Sequence, residues 1–127
     1  MLIPEDLLYT HEHEWLSLND GGTVRIGITD YAQDALGDVV FAELPAVGAT
    51  FTVGQTLAEV ESTKSVAEVY APLTGSVAAV NFQLHDHPEL INSSPYGDGW
   101  FVELQPEESV DTSTFLDPAA YRALTED

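Results

Sequence analysis

The chain holds one lysine, Lys64, set between two short alternating stretches in Ala58-Glu-Val-Glu-Ser-Thr-Lys-Ser-Val-Ala-Glu-Val-Tyr-Ala-Pro-Leu-Thr-Gly. A lysine that works as a nucleophile or Schiff base needs its ammonium form destabilised, by burial or by cationic neighbours. The surroundings of Lys64 do the reverse: Glu61 and Glu68 flank it within a strongly acidic chain, and both favour the charged amine. Such an amine is a poor catalyst and a good target for an enzyme that deprotonates it in its own site. These residues therefore point to a modified lysine, against the plain alternative of a surface lysine with no task.

Two other groupings carry chemistry-bearing side chains. His11-Glu-His13 and His85-Asp-His87 offer imidazoles and carboxylates, good donors for zinc or iron. On a strand the paired histidines would share a face, yet no third or fourth ligand is indicated and neither pair has the helical His-Glu-x-x-His spacing, so no metal site is expected. The chain has no cysteine, which excludes disulfides, Cys-ligated zinc and thiol catalysis. Any redox chemistry must come from an attached group. Trp15, Trp100, Tyr96 and Phe41 read as core or cleft walls, and Pro95-Tyr-Gly-Asp-Gly reads as a turn that could also line a cleft.

The elements that position Lys64 follow from periodicity. Alternation places Ala58 and Val60 on one face of a strand, opposite Ala67, Val69 and Ala71 of the next, with Glu59, Glu61 and Glu68 pointing outward. A turn near Ser62 to Ser65 puts Lys64 at the tip of a hairpin, and Pro72 with Gly75 ends the second strand. The turn lacks the Asn-Gly or Asp-Gly of a tight two-residue connection, so its geometry is not specified by residue type. Strands are expected at 23–28, 39–44, 55–61, 66–71, 76–81 and 100–104, separated by Gly, Pro and Asn. A short helix from an Asp30 cap to Leu36, stopped by Gly37, and a C-terminal helix begun by Asp117-Pro118 are expected to pack on the sheets as supports.

Composition bounds the rest. The 127 residues, 44% of them hydrophobic, suit one compact domain spanning 1–127. Against 22 Asp and Glu stand only Arg25, Lys64 and Arg122, a formal net charge of −19. Nucleic acid and anionic membranes would repel such a chain, and basic protein surfaces would attract it. The N-terminus shows neither a signal peptide nor an Arg-rich transit peptide, so a cytoplasmic, bacterial protein is expected; a processed mitochondrial form would look similar.

Taken together, several long motifs resemble the H proteins of the glycine cleavage system: Tyr9-Thr-His-Glu-His-Glu-Trp, Gly27-Ile-Thr-Asp-Tyr-Ala-Gln-Asp-Ala-Leu-Gly-Asp-Val-Val-Phe, Glu61-Ser-Thr-Lys-Ser, Tyr70-Ala-Pro and Asn92-Ser-Ser-Pro-Tyr-Gly-Asp-Gly-Trp. The resemblance implies a mainly β, lipoyl/biotinyl-domain-like sandwich (a barrel-sandwich hybrid) with short flanking helices and a C-terminal helix. It also implies a non-catalytic carrier with lipoate in amide linkage to Lys64. Biotinyl carriers typically flank their lysine with methionines, where Thr63 and Ser65 stand here. The implied partners are the glycine decarboxylase (P protein), the tetrahydrofolate-dependent aminomethyltransferase (T protein), dihydrolipoyl dehydrogenase and a lipoate-attaching enzyme, met by a monomer. By the same resemblance Glu61 is read by the attaching enzyme, and Glu14 and Glu68 dock the aminomethyl-bearing arm. Many family members have Val-Lys-Ala at the modification site and aspartate at the place of Glu68; Thr63-Lys64-Ser65 and a longer carboxylate depart from that. A carrier for other acyl-transfer pathways and a metalloenzyme built on the histidine pairs are the competing readings.

Overall fold

The computed structural model describes residues 1–126. Among the described residues nine strands form two antiparallel sheets. The first six elements of the sheet pattern are β1 (Leu8–Tyr9), β2 (Glu14–Leu18), β3 (Val24–Ile28), β4 (Val39–Glu43), β5 (Thr50–Phe51) and β6 (Thr56–Ser62); β7 (Val66–Tyr70), β8 (Gly75–Val80) and β9 (Val102–Pro106) complete it. One sheet has the order β1-β2-β3-β9-β8-β5 and the other β4-β6-β7. Leu16, Ile26, Val102 and Leu104 of the larger sheet meet Ala42, Ala58, Val60 and Val69 of the smaller in one buried cluster. Each fully buried Val, Leu or Ile among them contributes about 1.5–3 kcal/mol, which is what holds the two layers face to face.

Strands β3, β4, β6, β7, β8 and β9 lie where alternation places them, shifted by a residue or two at their ends. The start of β9 is one correction. Trp100 and Phe101, expected within it, precede the strand, and Phe101 is fully buried, as is Val102 beside it. β2 gave no alternating signal for a physical reason: Glu14, Trp15 and Leu16 are all buried, because this strand is covered on both faces. Leu16 enters the inter-sheet core, whereas Trp15 faces the other way, into a second cluster with Ile3, Leu7, Tyr9 and Tyr121. The indole lies across Gly27, its cross-strand partner, where an added Cβ would come within 2.7 Å of the ring.

Among the described residues four α-helices brace this frame, α1 (Asp30–Leu36), α2 (Gln83–Asp86), α3 (Leu90–Ser93) and α4 (Pro118–Thr125), with one 3-10 turn at Thr112–Thr114. The cap of α1 is Thr29, whose hydroxyl accepts from Ala32 N–H, and not Asp30. Asp30 is the first helical residue, and its carboxylate accepts from Gln33 Nε2 and from Leu2 N–H instead. Gly37 ends the helix at φ +87°, a conformation that favours glycine. Asp117 caps α4 by accepting from Ala120 N–H, and Pro118 occupies its first turn. Tyr121 of α4 stacks on Tyr9 at 4.6 Å, and its hydroxyl lies 2.8 Å from His13 Nδ1 and 2.7 Å from Thr29 Oγ1. The 95–99 loop is a clamp more than a cleft wall. Trp15 Nε1 donates to Pro95 O, and Tyr96 OH accepts from Asp30 N–H and donates to Leu2 O.

Candidate functional site

Lys64 sits exposed in the three-residue turn, Thr63 to Ser65, joining β6 to β7. The register pairs Ala58 with Val69, Val60 with Ala67, Glu59 with Glu68 and Glu61 with Val66, so the apolar members face inward and Glu59, Glu61 and Glu68 are exposed. The turn closes without any residue at positive φ. Ser62 N–H donates to Ser65 O, and the buried Ser62 hydroxyl accepts from Lys64 N–H and Ser65 N–H while donating to Ser65 O. A serine side chain thus supplies the acceptors that a tight Asn-Gly turn would obtain from its backbone. The serine two residues before the lysine was the signal in the sequence.

The tip is seated on its neighbours. Thr63 N–H donates to Asp38 O at 3.0 Å, and the stem of Lys64 crosses Gly37, with Cε 3.2 Å from where a Cβ would stand. That platform, the link from α1 to β4, is fixed from a distance by Asn92 of α3. Its Oδ1 accepts from Val39 N–H, and its Nδ2 donates to Gly37 O and to Gln33 Oε1, all within 2.9 Å. Gly37 was read only as the stop of α1, and Asp38 and Asn92 were not singled out, because their parts here depend on contacts between segments far apart in the chain.

Glu14 and Glu68 lie on either side of Tyr70. Glu68 is exposed on β7 and accepts from the Tyr70 hydroxyl at 3.0 Å. Glu14 is 2% exposed, so it is not part of a solvated strand face. It shares its sheet face with Leu16 and reaches from β2 to the smaller sheet, where Oε2 accepts from Tyr70 N–H at 2.8 Å and Oε1 from the Thr10 hydroxyl at 3.0 Å. The donor from Tyr70 is an edge-strand N–H that Glu14 satisfies. Burial raises the Glu14 carboxyl to about 7, against the lowering effect of its two hydrogen bonds, with Glu12 adding to the rise. Glu12, Glu14, Val53 and Tyr70 border a cavity of about 360 Å³.

Lys64 lies two residues before β7 begins, and Glu68 and Tyr70 are the third and fifth residues of that strand. A lysine extended by a lipoyl chain spans about 15 Å from its Cα by ordinary bond lengths. A larger groove of about 570 Å³ lies beside Leu73, Val110 and Phe115 and shares Val53 and Pro72 with the cavity at Glu14.

The remaining candidates are scattered. His13 is at φ +68° in the turn before β2, stacked on Tyr31 at 4.6 Å, while His85 lies in α2 and His87 is 3.5 Å from Glu89. Among the described residues, no three His, Asp or Glu side chains gather around a common point that could hold a metal. Trp15 is buried and Tyr96 and Trp100 partly so, but Phe41, expected in the core or a cleft wall, is 50% exposed beside the Lys64 turn.

The family described as "Glycine cleavage H-protein" matches residues 7–127. The chain is 58% identical over 124 residues to the glycine cleavage system H protein of Mycolicibacterium vanbaalenii, covering 95% of both chains. It is 53% identical to that of Mycobacterium tuberculosis, covering 98% of both. The crystal structure of a glycine cleavage system H protein from Mycobacterium marinum superposes with a TM-score of 0.86 at 41% identity, over 95% of this chain and 97% of that one. The sandwich is therefore of the lipoyl-domain type, and this chain belongs to the glycine cleavage H-protein family.

Proposed function

We propose that Lys64 carries lipoate in amide linkage and that the chain shuttles an aminomethyl group between the enzymes of glycine cleavage. The observation that carries this is the turn itself: one lysine in the chain, exposed, with its backbone braced by Ser62 and Asp38 and its side chain laid along the surface toward solvent. In attachment, Nζ displaces the leaving group of an activated lipoyl carbonyl. The amide forms, and the two protons lost by the ammonium pass to the attaching enzyme or to water. Glu61, exposed three residues before Lys64, is placed for that enzyme to read.

When bound, the dithiolane supplies the sulfur and redox chemistry that a cysteine-free chain lacks. It would accept the aminomethyl group at the P protein, yield its one-carbon unit at the T protein with release of ammonia, and be reoxidised by dihydrolipoyl dehydrogenase with NAD. The chain's own task is to tether, and tethering raises the local concentration of the load at each partner. Between partners, Glu68 and Glu14 hold the cationic load. Glu68 offers an exposed charge on the strand that follows the lysine, and Glu14 a carboxylate shielded from water, where an ion pair is stronger than at the surface. The role we propose is that of a monomeric, non-catalytic carrier working beside its enzymes in the cytoplasm of a bacterial cell.

Expression with lipoate and measurement of intact mass should show one lipoyl amide, absent in Lys64→Arg. Glycine-dependent exchange of bicarbonate carbon with the P protein should follow the modified fraction. An unmodified wild type under those conditions, or exchange that persists in Lys64→Arg, would sink the reading.

A further inference from the structure

The outer face of β4, β6 and β7 exposes apolar side chains next to the lysine. Phe41 of β4 pairs with Glu61, and Glu61 with Val66, so one row across the sheet reads Phe41, Glu61, Val66, with Phe41 50% and Val66 59% exposed. An irregularity between Val39 and Phe41 breaks the alternation of this edge strand, and Val40, 49% exposed, points outward beside Phe41. Bulges re-aim side chains and recur beside functional sites. The next row is Glu43, Glu59 and Glu68, exposed carboxylates directly opposite one another, an arrangement that destabilises a sheet. None of the three lies in an ion pair among the described residues.

We propose that this face is the footprint of the enzyme that acylates Lys64, a protein surface with an apolar pocket rimmed by Lys and Arg. The proposal rests on Lys64 being the lipoylated residue. Charge decides the class of occupant: the row of glutamates on a chain of net charge −19 repels a second copy and any anionic surface, and it attracts a basic one. Reach decides which partner it is. Enzymes that use the finished arm need admit only its end, about 15 Å from the backbone, and can dock elsewhere. The acylating enzyme must take Nζ itself into its site. Its surface therefore closes to within the length of a bare lysine, about 6 Å, of the turn, and the Phe41–Glu61–Val66 row begins there. Phe41 is the anchor: a large ring held on a rigid strand brings contact area at little entropic cost.

The test uses the unmodified full chain, a purified lipoate-attaching enzyme and intact mass as the readout of acylation rate. Phe41→Ser should raise the KM for the chain at least tenfold with kcat within twofold, and Phe41→Leu should restore it. Glu59→Gln should raise KM several-fold and reduce its dependence on salt, while raising the melting temperature by relieving the repulsion. Phe82→Ser, at a side chain 63% exposed on another part of the surface, should match wild type throughout. Melting curves of Phe41→Ser and Phe82→Ser that match wild type confirm that both are folded. Phe41→Ser protein driven to full lipoylation by long incubation should then support glycine-dependent exchange at the wild-type rate. Acylation of both Phe41→Ser and Val66→Ser at wild-type KM would overturn the footprint, and an equal loss in the exchange assay would overturn its assignment to the acylating enzyme. A wild type that is never acylated would instead strike the carrier reading, and shows itself before any variant is compared.

Discussion

Burial lifts the Glu14 carboxyl to about 7 while Tyr70 and Thr10 donate to it, so near neutral pH the side chain is divided between charged and neutral forms. Its folded value lies above the ordinary 4.5, and folding therefore takes up a proton between the two. The contribution of Glu14 to stability is complete below about 4.5 and is lost as pH climbs through about 7, by about 3 kcal/mol in all. Urea denaturation at pH 5 and pH 8 should show that slope in the wild type and its loss in Glu14→Gln; equal slopes in the two proteins would mean that Glu14 does not titrate as its burial requires. Function should run the other way. A neutral Glu14 offers no charge to a cationic load, so protection of the aminomethyl group from hydrolysis should fade as pH falls below about 7. Lys64 and Glu14 also differ in how far residue type foretold them. The exposure of Lys64 followed from alternation on both sides and the turn residues between. Glu14 was placed among the docking residues by motif, but its burial and its bond across to the smaller sheet depend on where β2 lies relative to β7, which local sequence does not encode.

The turn bearing Lys64 is supported by an element remote in the chain. Asn92 of α3 holds Gly37 O, Val39 N–H and Gln33, and through them the platform on which the turn is seated. Replacing Asn92 with alanine leaves the Val39 N–H and Gly37 O without these partners, which should cost about 2–3 kcal/mol in a denaturation experiment. The same change should broaden the NMR signals of Thr63 to Ser65, since Asp38 would no longer hold Thr63 firmly. Sharp, unshifted signals for those residues would show that the turn needs no such support. Most strands were legible because each has one face on the core and one on solvent. β2, covered on both faces, and the two-residue β1 and β5 carry no such pattern, and single-turn α2 and α3 are too short to show helical periodicity. The cap of α1 fell one residue early, on Thr29, because either side chain can accept from the first turn and only the contacts made, here Asp30 with the distant Leu2 and with Gln33 of its own helix, assign the roles.

Charge acts on the whole surface at once. Two of the three bases are already engaged: Arg25 Nε is 2.9 Å from Glu103 and its guanidinium lies 4.4 Å from the Trp100 ring centre, and Arg122 is 3.7 Å from Glu5. The remaining carboxylates give a field that reaches beyond contact, about 10 Å in 0.1 M salt. Association with basic partners should slow as sodium chloride rises, in stopped-flow experiments at constant lipoylation; rates indifferent to salt would remove long-range steering from the account. The acidity was plain from composition, whereas the engagement of Arg25 and Arg122 was not, since each lies far in the chain from its carboxylate. The single exposed lysine has one more consequence, for proteolysis. Trypsin cuts after lysine and arginine only, and a lysine whose amine is acylated is no substrate, so the unfolded modified chain yields an intact piece from Ile26 to Arg122, whereas the bare chain is also severed after Lys64. The clamp of Ser62 and Asp38 on the turn should keep even the bare bond closed to the protease until that corner of the sandwich opens, which makes the rate of this one cleavage a local gauge of how firmly the arm is rooted.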